Sequence, residues 1–387
     1  MGQSVSLDQL VAATPETRDR YVDFLRAFSI AAVVFGHWLV ALIHWEGGRI
    51  FVHNAVGHQS GLWMATWLLQ VMPLFFFVGG FANLRGWSST TARGDSYRDY
   101  LRRRLNRLLK PAVVFLAVWI GIEVVLHLTD TGASGLFRGT FLPFGPLWFL
   151  GVYGVVVAVA PLMLWLHRHW GVAVLVALAG SVAVVDVVRF GFLGRGIGWV
   201  NLALVWLFVH QLGFFYGDGR LVATGRRVWW AMVAGGLGVL VVLTNLELFF
   251  DELWYPRSMV GVDVEPVSNM SPPSFAIVAL AVWQVGAAML LRNRVSGWLA
   301  TASRWKAVVG VNTIIMTLFL WHLTALLVVI LVLHPLGVGH PVEPTASWWL
   351  QRPIWVLAPA VALVPLVVLF ARFERPRSVR SDRLGQS

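Results

Sequence analysis

Ten continuous apolar stretches, each long enough to cross a membrane, constrain this chain more than any other feature of its sequence. A helix needs roughly 20 mostly apolar residues to span the hydrocarbon core. The stretches cover residues 21–43, 62–84, 111–128, 146–167, 171–189, 199–217, 228–250, 274–291, 308–333 and 347–371. They do not alternate as barrel strands do, and isolated strands would leave backbone groups unpaired in lipid. The sequence therefore predicts an all-α integral membrane protein, a bundle of about ten transmembrane helices.

Composition leaves little room for a soluble domain. The chain is 58% hydrophobic and 13% charged, with a mean hydropathy of +0.71, whereas soluble domains carry about 25% charged residues. We expect a cytoplasmic tail (1–20), a ten-helix membrane domain (21–371) and a basic cytoplasmic tail (372–387). Because the chain has no cysteine, disulfides, thiolate metal sites and a cysteine nucleophile are excluded. We predict no metal site and no tightly bound cofactor.

Basic residues are distributed unevenly between the two sides of the predicted bundle. Most of the 30 Lys and Arg residues lie in the N-terminal tail, in segments 85–110, 168–170, 218–227 and 292–306, and in the tail from 372. The opposite side carries Arg49, Arg138, Arg195, Arg257 and Arg352. Its predicted loops include 45–61, the glycine-rich 129–145 and 251–273, and the prolines of the last predict an ordered segment that is not helical. Basic loops stay in the cytoplasm, so both termini are predicted inside a multi-pass protein of the cell membrane. The net charge of +11 then indicates contact with anionic membrane lipids and not with nucleic acid.

The first span carries the most informative polar pair. Arg26 and His37 are eleven residues apart in RYVDFLRAFSIAAVVFGHWLV, which places them on one helix face about 16 Å apart along the axis. Asp23 lies three residues before Arg26 and can pair with it. Polar residues within spans are costly and point to function. The alternative is that Arg26 extends to the headgroups while His37 bonds a neighbouring backbone group.

A basic segment, RDYLRRRLNRLLKP (98–111), precedes the third apolar stretch. Arg104 and Arg107 are three residues apart and share a helix face, and arginine can donate two hydrogen bonds at once to a phosphate. These two side chains can therefore bind one polyanion. The alternative is a basic helix that lies at the membrane surface.

Three further motifs contain residues that we consider for the site. Gly79 and Gly80 lie within MPLFFFVGGFANLRGW, where small residues commonly permit close helix contact. The fourth span has Trp148 in PLWFL, and the ninth has His322 in LFLWHLTAL. A single histidine in a span is more often a hydrogen-bonded core residue than a base.

In order and wording these segments resemble membrane acyltransferase family 3, polytopic bacterial enzymes that O-acylate sugars, envelope polymers and natural products. VDFLRAFSIAAVVFGH resembles the family's first-span pattern, FFFVGGF its FF-x-x-SGF element, and RRRLNRLLKP its RxxR stretch. WFL and LFLWH resemble its fourth-span signature and its late-span histidine. The resemblance runs over roughly residues 20 to 325. In two places the chain departs from the pattern: Ala27 replaces a common glycine, and Gly79 replaces the serine of SGF.

The resemblance implies an acyl-CoA donor, such as acetyl-CoA, bound from the cytoplasm by Arg26, Arg104 and Arg107. His37 would act as general base on a hydroxyl of a sugar, glycan or metabolite acceptor that enters from the outer side under the loop 251–273. Asp23 and His322 would complete the catalytic group, while Gly79, Gly80 and Trp148 would line the pocket. The hydrolase-like domain of some family members is missing from this chain, which favours a small or lipid-linked acceptor.

Two alternatives remain open at this stage. A transporter or exporter would use Glu123, Asp186, Arg189 and His210 to line a polar path through the spans. A different class of polytopic O-acyltransferase would depend on a late-span histidine, so that His322 and not His37 would be essential. The sequence leaves the acyl group and the oligomeric state undetermined.

Overall fold

The computed structural model describes residues 7–15, 17–46, 49–129, 142–191, 194–246, 255–262, 267–333, 336 and 343–374. The helices are α1 (Leu7–Ala12), α2 (Arg20–Val40), α3 (Trp63–Leu69), α4 (Met72–Ala92), α5 (Tyr97–Leu128), α6 (Leu147–Trp170), α7 (Val172–Gly191), α8 (Asn201–Gly217), α9 (Arg220–Ala223), α10 (Gly225–Leu243), α11 (Phe275–Trp298), α12 (Ala302–Thr313), α13 (Ile315–Leu333) and α14 (Ala346–Phe370). Two strands, β1 (Ala41–Glu46) and β2 (Arg49–Asn54), form an antiparallel hairpin.

The predicted all-α bundle is confirmed, since ten helical segments of the described chain are long and apolar enough to cross a membrane. Two of the predicted stretches contain breaks. Stretch 62–84 divides into α3 and α4, and stretch 308–333 divides into α12 and α13 at Ile314. The basic segment before the third span is itself helical, because α5 begins at Tyr97 behind a capping box formed by Ser96 and Asp99.

The segment that follows the first span was predicted as a loop over 45–61, and that prediction is wrong. β1 begins directly at the end of α2 and pairs with β2. The bundle supports this hairpin from the side, because Arg352 of α14 donates a 3.1 Å hydrogen bond to the carbonyl of Ala41. Arg352, which was counted on the outer side, is buried within α14, with its guanidinium 3.6 Å from the ring centre of Trp348.

The outer segments 255–262 and 267–274 are ordered without being helical, as the proline-containing sequence predicted. Segment 255–262 is hydrogen-bonded to α3 and to Gln70 at its C-terminal end, and Asn269 of segment 267–274 donates to the carbonyls of Pro256 and Ser258. Trp67 donates to the carbonyl of Arg257 at 2.8 Å, the backbone N–H of Met259 donates to Thr66 at 2.9 Å, and Gln70 donates to the carbonyl of Met259 at 3.1 Å. The glycine-rich loop 129–145 was predicted to lie outside the membrane, and most of it falls outside the described residues, as does the tail from 375.

Glycine contacts hold the centre of the bundle together. A Cβ on Gly80 of α4 would overlap the backbone of His210 and Gly213 in α8, and a Cβ on Gly213 would overlap the backbone of Phe77 and Gly80. The two backbones therefore meet without intervening side chains, as small residues permit inside membranes. The close helix contact predicted for Gly80 is present.

We predict that Gly80→Ala lowers the unfolding temperature in detergent, because the new methyl group has to push α4 and α8 apart. Overpacking of this kind costs about 1–3 kcal/mol. Gly180→Ala in α7 is the matched control, since a Cβ there meets nothing within 4 Å and alanine favours a helix over glycine. Equal unfolding temperatures for Gly80→Ala and the wild type would contradict the close crossing.

The charge distribution predicts which loops face the cytoplasm. Because the chain has no cysteine, a single introduced cysteine reports the side on which it lies. Ser60 and Arg98 are exposed at opposite ends of the bundle by the predicted orientation. On intact cells a membrane-impermeant maleimide should label Ser60→Cys and leave Arg98→Cys unlabelled until the cells are opened. Labelling of both positions on intact cells would show that the orientation is wrong.

Candidate functional site

The two histidines that the sequence singled out are neighbours across two helices. His37 lies near the end of α2 and His322 in the middle of α13, 285 residues further along the chain. The Nδ1 atom of His37 is 2.9 Å from the Nε2 atom of His322, and the rings are stacked with centres 5.1 Å apart and 9° between their planes. His322 is fully buried while His37 is exposed. The pair therefore has one inner and one accessible ring.

Hydrogen-bond roles determine which nitrogen of each ring carries the proton. The Nδ1 atom of His322 is 2.7 Å from the carbonyl oxygen of Phe319, which only accepts, so this nitrogen must donate. In a neutral ring the Nε2 atom of His322 then accepts, and the Nδ1 atom of His37 must be its donor. This leaves the Nε2 atom of His37 unprotonated and without a partner among the described residues. A basic nitrogen is thus presented on the accessible ring.

The surroundings of His322 fix its position relative to α2. Trp38 donates from its indole N–H to the carbonyl of His322 at 3.0 Å, so α2 and α13 are joined beside the histidine pair. Trp321, the residue immediately before the histidine, stacks on Phe370 of α14 with ring centres 3.9 Å apart. Trp119 of α5 donates to Thr324 at 3.3 Å. These contacts hold α13 from three sides.

The opposite end of α2 carries a group of cations. Arg26 is half-buried and lies within electrostatic range of Arg107 of α5, Tyr153 of α6 and Glu374. Within the part of the chain that the structure describes, neither Arg26 nor Arg107 donates a hydrogen bond to a protein group. Two neighbouring guanidinium groups without such partners are able to bind an anion.

Arg104 is placed differently from Arg107. Its guanidinium lies over Gly86 of α4, where a Cβ would overlap it, and it donates a hydrogen bond to the carbonyl of Ala82. Arg104 therefore has a structural contact with α4, while Arg107 is exposed. The structure brings Arg26 and Arg107 together and turns Arg104 towards another helix.

Helix spacing predicted that Asp23 pairs with Arg26, but the two side chains do not form that pair. Its carboxylate accepts two hydrogen bonds from Arg18, at 2.5 and 3.0 Å, just before α2 begins. The backbone carbonyl of Asp23 also accepts from Asn312 of α12 at 2.9 Å. Because Asp23 is bound at the end of α2 remote from His37, it has no direct contact with the histidine pair.

Residues 19–372 match a family model described as an acyltransferase domain, that of membrane acyltransferase family 3. The chain belongs to this acyltransferase family. The matched region contains both histidines and all three arginines that the motifs had singled out. Comparisons with curated proteins and with solved structures give no match.

The three predicted pocket residues have distinct neighbours in this acyltransferase. A Cβ on Gly79 would come 2.8 Å from the ring of Tyr153, so the glycine that replaces the family's serine makes room for that tyrosine. Gly80 lies in the α4–α8 crossing. Trp148 is 40% exposed and lies 6.2 Å from Trp206, measured between ring centres. Only Gly79, through Tyr153, is linked to the arginine end of the site.

Three of the four polar residues that suggested a transport path, Asp186, Arg189 and His210, have hydrogen bonds within the described chain. Asp186 accepts from Asn201 at 2.8 Å, Tyr255 at 3.0 Å and the backbone of Phe275 at 2.7 Å, which joins α7, α8, α11 and the outer segment. His210 pairs with Asn83 at 2.9 Å. These networks tie neighbouring elements to one another.

Two residues of the arginine end were missed by sequence reasoning. Tyr153 is a hydroxyl-bearing residue within a span, a signal that was present and not used. Glu374 stands between Arg372 and Arg375 and was taken as part of the basic tail. Its carboxylate instead accepts from the backbone N–H groups of Met316 and Thr317 and from the Thr317 hydroxyl, each at 2.9 Å. Burial raises the pKa of the Glu374 carboxyl, and these hydrogen bonds and the charge of Arg26 oppose that rise.

Proposed function

We propose that this acyltransferase transfers an acyl group, acetyl or another short chain, from acyl-CoA to a hydroxyl of a sugar, a glycan or a secreted metabolite at the cell membrane. The observation that carries the proposal is the fixed histidine pair, which leaves one basic imidazole nitrogen accessible on α2, the helix that also carries Arg26 of the arginine pair. A general base and an anion site are the two parts that such a transfer needs.

The donor end of the site is formed by Arg26 and Arg107. The phosphates of CoA bind between these two guanidinium groups from the cytoplasmic side, where the basic segments are predicted to lie. The pantetheine arm then runs along α2 for the about 16 Å that separates Arg26 from His37. The thioester carbonyl reaches the height of the histidine pair.

The chemical step begins when the Nε2 atom of His37 takes the proton of the acceptor hydroxyl. The acceptor oxygen forms a bond to the thioester carbonyl carbon, the carbon–sulfur bond breaks, and the CoA thiolate leaves with the proton that His37 received. His322 accepts the Nδ1 hydrogen bond throughout and stabilises the imidazolium while it is present. His322 is therefore a positioning residue in this mechanism and His37 is the catalytic base.

The acceptor arrives from the outer side. It does not pass between α3 and the segment 255–262, because that segment is hydrogen-bonded to Thr66, Trp67 and Gln70. The accessible ring of His37, close to the start of the β1–β2 hairpin, marks the approach.

His37→Ala should lower kcat by about 10²–10⁴-fold, the usual contribution of a positioned general base, while CoA binding and the unfolding temperature stay near wild type. His322→Gln should retain more activity than His322→Leu, because the Gln carbonyl can accept from the Nδ1 hydrogen of His37. Turnover is measured as CoA thiol release from acetyl-CoA by purified protein with a hydroxyl acceptor.

His58→Ala is the matched control, since His58 is an exposed histidine of the outer side. The mechanism is wrong if His37→Ala turns over normally. It is equally wrong if His322→Leu is inactive while His37→Ala is active, because the late-span histidine would then be the base.

Arg107→Gln and Arg26→Gln should each raise KM for acetyl-CoA about ten-fold or more, because a charge-assisted hydrogen bond contributes roughly 1.5–3 kcal/mol. Arg107→Lys should recover part of the loss, since a lysine lacks the bidentate fork. For Arg104→Gln we expect a lower unfolding temperature, because this substitution removes the contact of Arg104 with α4.

Arg102→Gln is the control for Arg107→Gln, as it removes an exposed charge from the same helix. If Arg102→Gln and Arg107→Gln raise KM equally, the effect is a general surface potential and the proposed pair does not bind the donor.

A further inference from the structure

One carboxylate, that of Glu374, lies near both Arg26 and the first turn of the helix that carries His322. Glu374, just beyond the end of α14, accepts three hydrogen bonds of 2.9 Å from the first turn of α13. It also lies within electrostatic range of Arg26. α13 is the helix that carries His322, and Arg26 is the proposed donor ligand. Glu374 lies outside the matched region 19–372.

The start of α13 needs such a partner. The helical conformation is interrupted at Ile314, and α13 begins directly after α12. The first N–H groups of α13 have no partner within their own helix, and no loop separates them from α12. Ile315, Met316 and Thr317 are buried. An anion at this position binds the free N–H groups and interacts favourably with the positive end of the helix dipole. Glu374 supplies that anion from a part of the chain that is 57 residues from Thr317.

We propose that Glu374 is a positioning residue of the acyltransferase, which sets the height of His322 through α13 and balances the charge of Arg26 at the donor end. The proposal rests on the function proposed above. It assigns to Glu374 no contact with a reacting atom.

The link to His322 is mechanical. His322 follows Thr317 by five residues, which is a rise of about 8 Å along α13. A helix transmits a shift of its first turn along its axis, and the 2.9 Å contact between the histidines does not tolerate a large one. Misplacement by about 1 Å can cost an enzyme about 10²-fold in rate.

The link to the donor is electrostatic. Glu374 is an acidic neighbour of Arg26, which binds phosphate in the proposed function. Its negative charge opposes the negative charge of the donor, so its removal strengthens the attraction of Arg26 for CoA. Loss of Glu374 should therefore affect catalysis and donor binding in opposite directions, which loss of a purely structural contact does not do.

The decisive variant is Glu374→Gln, which keeps the shape of the side chain and removes the charge. We expect kcat to fall by between about ten-fold and a hundred-fold, while purified protein binds CoA as tightly as wild type or more tightly. Thr317→Val isolates the cap, because it removes one hydrogen bond and leaves the charge of Glu374 beside Arg26. It should lower kcat less and leave CoA affinity unchanged.

Asp8→Asn is the matched control. Asp8 forms an ion pair of 2.6 Å with Lys306 of α12, its side chain is 76% exposed, and its removal takes away one negative charge that makes no hydrogen bond to α13. It should leave both kcat and CoA affinity at wild-type values. Wild-type kcat in Glu374→Gln overturns the proposal, as does an equal loss of kcat and CoA affinity accompanied by a lower unfolding temperature.

Nitrogen NMR of protein labelled at histidine separates this proposal from the proposed function. The wild type should show Nδ1 protonated and Nε2 bare on both His37 and His322, and Glu374→Gln should lose that pattern. If wild-type protein fails to bind CoA, the donor assignment is wrong. The NMR pattern then decides on Glu374 alone, and an unchanged pattern in Glu374→Gln refutes its positioning role.

Discussion

A polar group in the hydrocarbon core has no water to bind, so the bundle has to supply a partner from the chain itself. Asp186 illustrates the rule with three donors from three elements, and Gln284 does so by donating to the carbonyls of Trp67 and Gln70 at 3.1 and 2.9 Å. Each pairing also fixes where its elements lie. Arg26 and the Nε2 atom of His37 have no hydrogen-bond partner among the described residues, and they are the groups to which the substrates are proposed to bind.

Sequence reasoning located the spans because their signal is local. An apolar run of 20 residues is visible without knowledge of any neighbour, and the eleven-residue spacing of Arg26 and His37 follows from helix geometry alone. The contact between His37 and His322 joins residues 285 positions apart, and that between Glu374 and Met316 joins residues 58 apart. No periodicity encodes either. The break at Ile314 was hidden as well, because both sides of it are apolar.

Helix periodicity also failed to distinguish members of one face. Arg104 and Arg107 are three residues apart, and their spacing predicts equivalent positions. Because Gly86 has no side chain, Arg104 has room to lie against α4, while Arg107 remains exposed. Asp23 was expected beside Arg26 for the same reason of spacing. Arg18, which precedes the helix and has no place in its periodicity, binds that carboxylate instead. The contacts of Arg104 and Asp23 therefore depend on residues outside the helix periodicity, whose positions are set by the fold.

The choice of a histidine as partner for His37 has a physical reason in this environment. A carboxylate would orient the base equally well, but at position 322, which is fully buried, it would bring a permanent charge into a low-dielectric core. His322 offers an acceptor nitrogen while it remains neutral, and its own proton is satisfied by Phe319. In the proposed mechanism, charge then appears at the histidine pair only while the acceptor proton is on His37. The permanent charge of Arg26 lies about 16 Å away along α2, at the end of the span where the phosphates of a CoA donor are proposed to bind.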